Sequence, residues 1–328
     1  MRYRADPPTR RIRPRGRRIG VPRALAFHEL RRFFDHLLES SGFEPIRSPH
    51  SSQAILSLGL DRCIDEVCFP LKTFFGHVAR LELDGLDTVL VPRVISLAKG
   101  RNHCPKFHVL PDMIERAFPR LAVLAPYIDL HHSPRATLIE HLRDACRPML
   151  VELGAWRPDG ERRIDEAWRA EIAGEREAPP RSSDGLRIAM LGHLYAERDS
   201  FLGLGVAKLL RSLGAEVVRS PRPLSETPCP FEEGMYYESS VRTARALERR
   251  LEEGIDGAVL MTYFACGPDS YSADTILYRM DRRAARIPVL RLILDEHTSR
   301  EGLLTRLSAF VDVARHRRAQ HDSEEGRC

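Results

Sequence analysis

The chain has 328 residues, of which 43% are hydrophobic and 30% are charged, and its formal net charge is +5 at pH 7. This composition is ordinary for a soluble globular protein, and the length exceeds what one hydrophobic core usually serves, so we expect two domains. The sequence contains no run of about 18 apolar residues, so no membrane span is expected.

The positive charge is concentrated in residues 1–18, which contain eight arginines and one aspartate. Their net charge is +7, so the remaining residues carry about −2 in total. The segment has several prolines and no apolar run, which predicts a disordered basic tail and not a secretory signal. We therefore expect a cytoplasmic protein that does not use this arm to bind nucleic acid.

The first half of the chain follows a β-α-β pattern. An extended segment at 18–22 precedes helical spacing over 24–41, and Gly42 ends that helix before a second extended segment at 43–46. The pattern continues with helices near 71–83 and 110–118 and strands at 88–92 and 121–124. We predict an N-terminal α/β domain over residues 19–133.

Residues 134–178 are charged and have helical periodicity, and a Pro- and Ser-rich segment follows at 179–185. We interpret residues 134–185 as a helical connector and linker.

The β-α-β pattern then restarts. A strand and loop are predicted at 186–193, strands at 216–218, 257–261 and 289–294, and helices at 203–213, 238–253 and 301–315. A second α/β domain is thus expected over 186–315, with a frayed tail at 316–328. The predicted fold class is α/β, with two Rossmann-like open parallel-sheet domains and a helical connector.

The chain has seven cysteines, an odd number with irregular spacing, which favours a reducing compartment over a disulfide framework. Cys68, Cys104 and Cys266 stand in short segments rich in Pro, Gly and charge, close to the ends of predicted elements. Their spacing matches no zinc finger, zinc ribbon or ferredoxin motif. Spacing alone leaves two interpretations open. The three cysteines form a metal site assembled across two domains, or they are buried structural residues. The other cysteines are Cys63, Cys146, Cys229 and Cys328.

Several short motifs, in order, make the chain similar to a known family. They are Ile19–Leu25, Asp65–Lys72 with Gly76 and His77, Pro92–Ser96, Cys104–Lys106 with Leu110–Asp112, and Cys266–Ser270 with Asp295–Thr298. Together they cover about residues 19–315 and resemble the uncharacterised domain of acyl-CoA dehydratase activase-related proteins. That domain is related to the iron–sulfur subunits of 2-hydroxyacyl-CoA dehydratases and benzoyl-CoA reductases.

The resemblance implies a 4Fe-4S cluster held by Cys68, Cys104 and Cys266 between the two domains. It also implies that the cluster accepts low-potential electrons from an ATP-dependent activase and that the substrate is an acyl-CoA or another small molecule. The relatives suggest a dimer. The chain has no glycine-rich acidic nucleotide motif, so it is not expected to be the ATPase. A double-cubane cluster would need about six cysteine ligands and is not expected.

Other residues are candidates for shaping the site. Lys72, Lys106 and Arg93 would offset the negative charge of a cluster, or serve only surface solubility. His77 and His103 are proton carriers, a further ligand, or ordinary hydrogen-bonded histidines.

Glu296 and His297 are the candidate catalytic acid–base pair, whereas Thr298 or Ser299 is expected to cap the following helix. Gly192-His193 and Gly203-Leu204-Gly205 resemble a phosphate loop only weakly, and we do not expect NAD binding.

Two further interpretations stay open. The chain could be a non-catalytic accessory or assembly protein for an activase/dehydratase system. It could also be a zinc-stabilised module whose basic arm binds nucleic acid, which metal analysis would distinguish.

Overall fold

The computed structural model describes residues 16–135, 137–173, 185–220, 232–282 and 287–325. The first half contains β1 (Arg18–Val21), α1 (Phe27–Ser40), β2 (Glu44–Arg47), α2 (Gln53–Leu60), α3 (Phe69–Leu83), β3 (Thr88–Leu90), β4 (Arg93–Ser96), α4 (Pro105–His108), α5 (Leu110–Ala117), β5 (Ala122–Leu124) and β6 (Tyr127–Asp129). Then follow α6 (Leu138–Glu152), α7 (Gly160–Ala173), β7 (Leu186–Leu191), α8 (Leu194–Arg198), α9 (Val206–Ser212), β8 (Ala215–Arg219), α10 (Glu238–Glu252), β9 (Gly257–Tyr263), α11 (Gly267–Arg282), β10 (Val289–Leu294) and α12 (Arg300–Glu325). Most of the basic segment, the linker at 179–184, Cys229 and Cys328 lie outside the described residues.

The first half folds around a parallel sheet with strand order β2-β1-β3-β5. A two-stranded parallel ladder, β4-β6, continues the line of β3 and β5 beyond Pro92 and Pro126. Proline has no amide hydrogen to donate, so each proline interrupts its strand. The backbone N–H of Arg93 donates to Pro126 O at 3.0 Å and keeps the two segments side by side.

The second half contains a parallel sheet with strand order β8-β7-β9-β10. In both sheets the first strand of the half lies between the second and the third, so the strand order reverses at β1/β3 and at β7/β9. Open α/β sheets bind ligands at the carboxyl ends of strands at such switch points. These two parallel sheets, with helices between their strands, confirm the predicted α/β class.

The predicted connector forms two helices that pack on the first half. α7 lies against α1, where Glu171 Oε2 accepts the backbone N–H of Phe33 at 3.0 Å. Leu142 of α6 and Ile164 of α7 are fully buried in the same core as Phe33 and Leu37 of α1. The segment therefore covers one face of the first sheet as well as connecting the halves.

The largest hydrophobic core contains residues from both halves of the chain. Phe69 belongs to this core, and its ring centroid lies 5.6 Å from that of Phe201 and 6.2 Å from that of Tyr263 in edge-on geometry. Because the two sheets share this apolar core, the residues at their junction are held by packing from both sides. The predicted domain boundaries stay a prediction.

The start of α3 is positioned by a close crossing with α2. A Cβ atom added at Gly59 would lie 2.0 Å from Lys72 O, and one at Gly76 would lie 1.8 Å from Ile55 O. Only glycine allows the two helix backbones to approach so closely. This contact fixes the segment that carries Cys68.

The last helix, α12, extends ten residues past its predicted end at 315, into the segment predicted to be a frayed tail. Arg318 contributes to this extension by donating a hydrogen bond to Gly185 O at 3.0 Å. None of the helices among the described residues has the length and hydropathy needed to cross a membrane.

Candidate metal centre

Cys68 is the N-cap residue of α3, with extended backbone angles and Pro70 in the first turn of the helix. Proline is favoured there because the first helical amides have no intrahelical partner. Burial raises the pKa of the Cys68 thiol, while the charge of Lys106 and the backbone amide of Leu71 act in the opposite direction. The positive end of this 15-residue helix also favours a thiolate.

Cys104 is the N-cap residue of the short helix α4 and is followed by Pro105. Asn102, two residues before Cys104, is bound to the second half of the chain, because its N–H donates to Tyr236 O at 3.1 Å and its carbonyl accepts from Glu238 N at 2.9 Å. Burial raises the pKa of the Cys104 thiol, and the Lys106 backbone amide and ammonium lower it. The loop thus holds a thiol at the junction of the two halves.

Cys266 follows the carboxyl end of β9 and directly precedes α11. The residue before it, Ala265, has a left-handed backbone with φ of 60°. An alanine pays a steric cost in this conformation, and such strain concentrates at functional sites. The tight turn is closed by a 3.2 Å hydrogen bond from Cys266 N to Tyr263 O, and the thiol is 6% exposed.

The structure brings the three cysteine segments together. Lys106 Nζ donates a 3.1 Å hydrogen bond to Ala265 O, which joins the Cys104 segment to the Cys266 segment. Phe69 packs on Tyr263 and joins the Cys68 segment to the same place. Burial raises the pKa of the Cys266 thiol, and the charges of Asp269, Cys68 and Cys104 raise it further. The segments that carry Cys68 and Cys104 therefore both contact the turn that carries Cys266.

A tighter group of donor atoms surrounds Cys266. Among the described residues, His193, Cys266 and Asp269 offer nitrogen, sulfur and oxygen atoms that all lie within 4.8 Å of one another, and all three residues are buried. Cys68 and Cys104 do not belong to this tight group. Thiolates that bind different irons of one cluster do not share a metal ion, so they need not be in contact.

Sequence reasoning missed His193 and Asp269 as members of this site. His193 follows β7 and Asp269 lies in the first turn of α11, so the adjacency of β7 and β9 brings them together. The spacing Cys266-x-x-Asp269 on a helix was the available signal, since residues three apart share a face. His193 had no comparable signal.

The three predicted cations have different environments. Lys106 is the one whose charge acts on Cys68 and Cys104. Arg93 donates two hydrogen bonds to Asp112, at 2.6 and 2.8 Å. Lys72 Nζ lies 2.5 Å from Glu296 Oε1, and both side chains are about 10% exposed. Two of the three cationic side chains are thus paired with carboxylates.

The two predicted histidines are hydrogen-bonded and buried. His77 Nδ1 lies 2.9 Å from Ser48 Oγ and its Nε2 lies 2.9 Å from Ser51 Oγ. Ser51 in turn donates to Asp199, so this chain of polar groups joins the two halves. His103 Nε2 lies 3.2 Å from Glu29 Oε2. The interpretation of both residues as ordinary hydrogen-bonded histidines accounts for these contacts.

The segment after β10 separates the two candidate acid–base residues. Glu296 is bound by Lys72, whereas His297 is exposed and its backbone N–H donates to Asp295 Oδ1 at 2.9 Å. Ser299 Oγ accepts the backbone N–H of Gly302 at 3.0 Å, which confirms the predicted cap of α12. The contacts of Glu296 indicate a structural link between the halves.

The remaining described cysteines have different surroundings. Cys146 is fully buried in the core of the first half, and burial alone raises its pKa to about 12. Cys63 is half-buried. Burial raises the pKa of its thiol, the charge of Lys72 lowers it and the charge of Glu296 raises it. Cys146 therefore cannot join a cluster at Cys266 without refolding of its core.

Two of the three glycines considered for a phosphate loop, Gly192 and Gly203, have a packing role. A Cβ atom at Gly192 would lie 2.6 Å from Met261 O, and one at Gly203 would lie 2.4 Å from Ala196 O. Both glycines face carbonyl oxygens, which repel phosphate. Gly192 also lets the end of β7 approach β9, and so places His193 beside Cys266.

A small apolar cavity lies at the carboxyl ends of β1 and β3, the switch point of the first sheet. Its volume is about 30 Å³, and its lining includes Val21, Leu25, Phe74, Leu90 and Leu110. A water molecule needs roughly 10–15 Å³ on the same measure, so the cavity has room for one or two small groups. It is far too small for a CoA thioester in this conformation.

Comparison with known proteins gives one family. The family model described as CoA enzyme activase uncharacterised domain matches residues 18–220, which is more than half of the chain. Cys68, Cys104 and His193 lie within the matched segment, whereas Cys266 and Asp269 lie beyond it. No curated protein matched the sequence.

Proposed function

The chain belongs to the family described as CoA enzyme activase uncharacterised domain, and from this premise we propose that it is a 4Fe-4S protein of an activase-dependent system. Cys68, Cys104 and Cys266 would hold the cluster, one from each of three segments. The observation that carries the proposal is that contacts join the three cysteine segments, each of which has its cysteine at the start of a helix.

The donor set fits an iron–sulfur cluster. Thiolates are the usual ligands of such clusters, and the buried thiols need a cation to stabilise their charged form. A bound cluster would supply one-electron transfer at low potential.

The surrounding residues have separate tasks in this account. Lys106 offsets the negative charge of the thiolates at Cys68 and Cys104. Phe69 and Tyr263, which are 1% exposed, exclude water from one side of the site. Both effects favour a protected redox centre over a solvent-exposed one.

We propose further that the chain is related to the iron–sulfur subunits of 2-hydroxyacyl-CoA dehydratases and benzoyl-CoA reductases. Its electrons would come from an ATP-dependent activase and serve reduction or radical dehydration of an acyl-CoA or other small substrate. The family description supports a place in a CoA enzyme activase system. The sequence motifs around the cysteines support the proposed relationship to these iron–sulfur subunits, and with it the electron source and the substrate class.

The test is anaerobic purification with iron and sulfide analysis, followed by mixing with an activase and ATP. A cluster that is reduced only when both are present supports the proposal. A chain that carries no cluster after anaerobic reconstitution overturns it.

A second candidate function is a non-catalytic accessory protein that binds the activase. Exposed aromatic side chains near Cys266 favour it, because Phe264 is 67% exposed and Tyr271 is 53% exposed. Exposed aromatic residues beside a redox site are suited to contact with a protein partner. Phe264→Ser and Tyr271→Ser should leave the cluster content unchanged and slow its reduction by the activase. Unchanged reduction rates in both variants would exclude this role for the aromatic residues.

A further inference from the structure

We propose that His193, Cys266 and Asp269 form a binding site for a single divalent transition-metal ion, and that this site works without Cys68 and Cys104. The site goes beyond the proposed cluster, because its ligands are a nitrogen, a sulfur and an oxygen from the second half of the chain. It shares one thiol with the cluster.

The distances between the donor atoms suit one shared ion. His193 Nε2 lies 3.9 Å from Cys266 Sγ and 2.8 Å from Asp269 Oδ1. Two donors bonded at about 2.0 to 2.3 Å to one tetrahedral ion lie roughly 3.3 to 3.8 Å apart. The sulfur is already near this separation, and the carboxylate reaches it with a shift of about half an ångström.

Two of the three ligands, His193 and Asp269, are each held in place by a further contact. The His193 ring stacks on Tyr195, with centroids 4.6 Å apart and planes 10° from parallel. Asp269 Oδ2 accepts the backbone N–H of Tyr263 at 2.9 Å, which leaves Oδ1 facing the histidine. Residues behind the ligands that fix their orientation are typical of metal sites.

The position in the fold is also that of a ligand site. His193 follows β7 and Cys266 follows β9, and these two adjacent strands form the switch point of the second sheet. Gly192 makes this approach possible, since any Cβ atom there would collide with Met261 O.

The donor set selects the class of ion. One imidazole, one thiolate and one carboxylate suit Zn²⁺, Fe²⁺ or Co²⁺, and three protein ligands leave a fourth position open. On binding, the thiol of Cys266 loses its proton to solvent, and the ion takes the lone pair of His193 Nε2, which must then carry no proton. No redox change is required.

The ion and the cluster compete for one thiolate. A chain loaded with Zn²⁺ at this site cannot offer Cys266 to a cluster, so excess Zn²⁺ should reduce the yield of cluster reconstitution. The ion site itself does not depend on the proposed cluster.

The test is a titration of the cluster-free, reduced full-length chain with Co²⁺, followed by optical absorption. We expect one ion per chain, with a sulfur-to-cobalt charge-transfer band and the intense visible bands of tetrahedral cobalt. His193→Gln, Asp269→Asn and Cys266→Ser should each weaken Co²⁺ binding at least about tenfold. Cys68→Ser and Cys104→Ser are the matched controls and should bind Co²⁺ as the wild type does.

A second measurement avoids substitutions. Pulsed electron paramagnetic resonance on wild-type chain containing ¹⁵N-histidine should detect nitrogen coupling to the bound cobalt. Absence of that coupling, or Co²⁺ binding that requires Cys68 or Cys104, overturns the proposal. Cluster content is measured separately on the wild-type chain, so failure of the cluster proposal leaves this outcome interpretable.

Discussion

Lys72 Nζ lies 2.5 Å from Glu296 Oε1 and joins the helix after Cys68 to the loop after the last strand of the second sheet. Both side chains are almost buried, so the pair is a fixed link between the halves and not a surface ion pair. This contact gives Glu296 a structural role, and the acid–base role considered from the sequence stays a prediction.

Breaking the pair from one side should be costly. Lys72→Met or Glu296→Gln leaves a nearly buried charge without its partner, which costs about 3 kcal/mol in the free energy of unfolding. The double variant should lose much less than the sum of the two single losses. Urea unfolding of the four proteins measures this, with the exposed Glu301→Gln as control; additive losses would mean that the two residues do not interact.

The crossing of α2 and α3 should not tolerate a methyl group. Gly76→Ala places a Cβ atom on Ile55 O and forces the helices apart, so we expect a loss of several kcal/mol in stability. Gly267→Ala is the matched control, because nothing lies within 4 Å of a Cβ atom there. Thermal unfolding of the cluster-free variants distinguishes them, and equal stabilities would contradict the observed crossing.

Lys106 should tune the proposed cluster. Removing its positive charge in Lys106→Gln destabilises the more negative reduced state, so the reduction potential should fall by an amount on the order of tens of millivolts. Lys106→Arg keeps the charge and should shift the potential less. A redox titration followed by electron paramagnetic resonance gives both values, and an unchanged potential in Lys106→Gln would exclude the charge as a factor.

The buried His77 should make the protein less stable in mild acid. Burial lowers its pKa from 6.5 to about 4 in the folded chain, so the unfolded chain binds more protons between these values. The free energy of unfolding should therefore fall as pH drops from about 6.5 to about 4, by about 3 kcal/mol from this residue. His28, whose pKa burial also lowers to about 4, should add to the same slope.

Denaturant unfolding at several pH values measures this slope. His77→Gln should flatten this slope. If the free energy of unfolding of the His77 variant depends on pH as in the wild type, burial does not lower the pKa of this histidine.

Much of the fold follows from local sequence patterns. The strand β10 has its predicted bounds, because a short run of five apolar residues and one arginine stands between Pro288 and Asp295. The helix α11 was missed because Ser, Tyr and Asp residues obscure its apolar face. Its start was nevertheless readable from Pro268 and Asp269, which are favoured in a first helical turn.

The candidate site was only partly predictable. The cysteines stand out in the sequence because of their Pro-rich and Gly-rich surroundings. The partnership of His193 with Asp269 does not, since it joins residues far apart in the chain and depends on β7 lying beside β9. Strand order is set by the packing of the whole sheet, which no local pattern contains.

The central claim is that three cysteines hold one cluster, and iron and sulfide content after anaerobic reconstitution tests it most directly. The wild-type chain should contain about four irons and four sulfides. Cys68→Ser, Cys104→Ser and Cys266→Ser should each lose most of both, whereas Cys63→Ala and Cys146→Ala should keep them. A wild-type chain without iron and sulfide, or undiminished content in the three serine variants, would contradict the account.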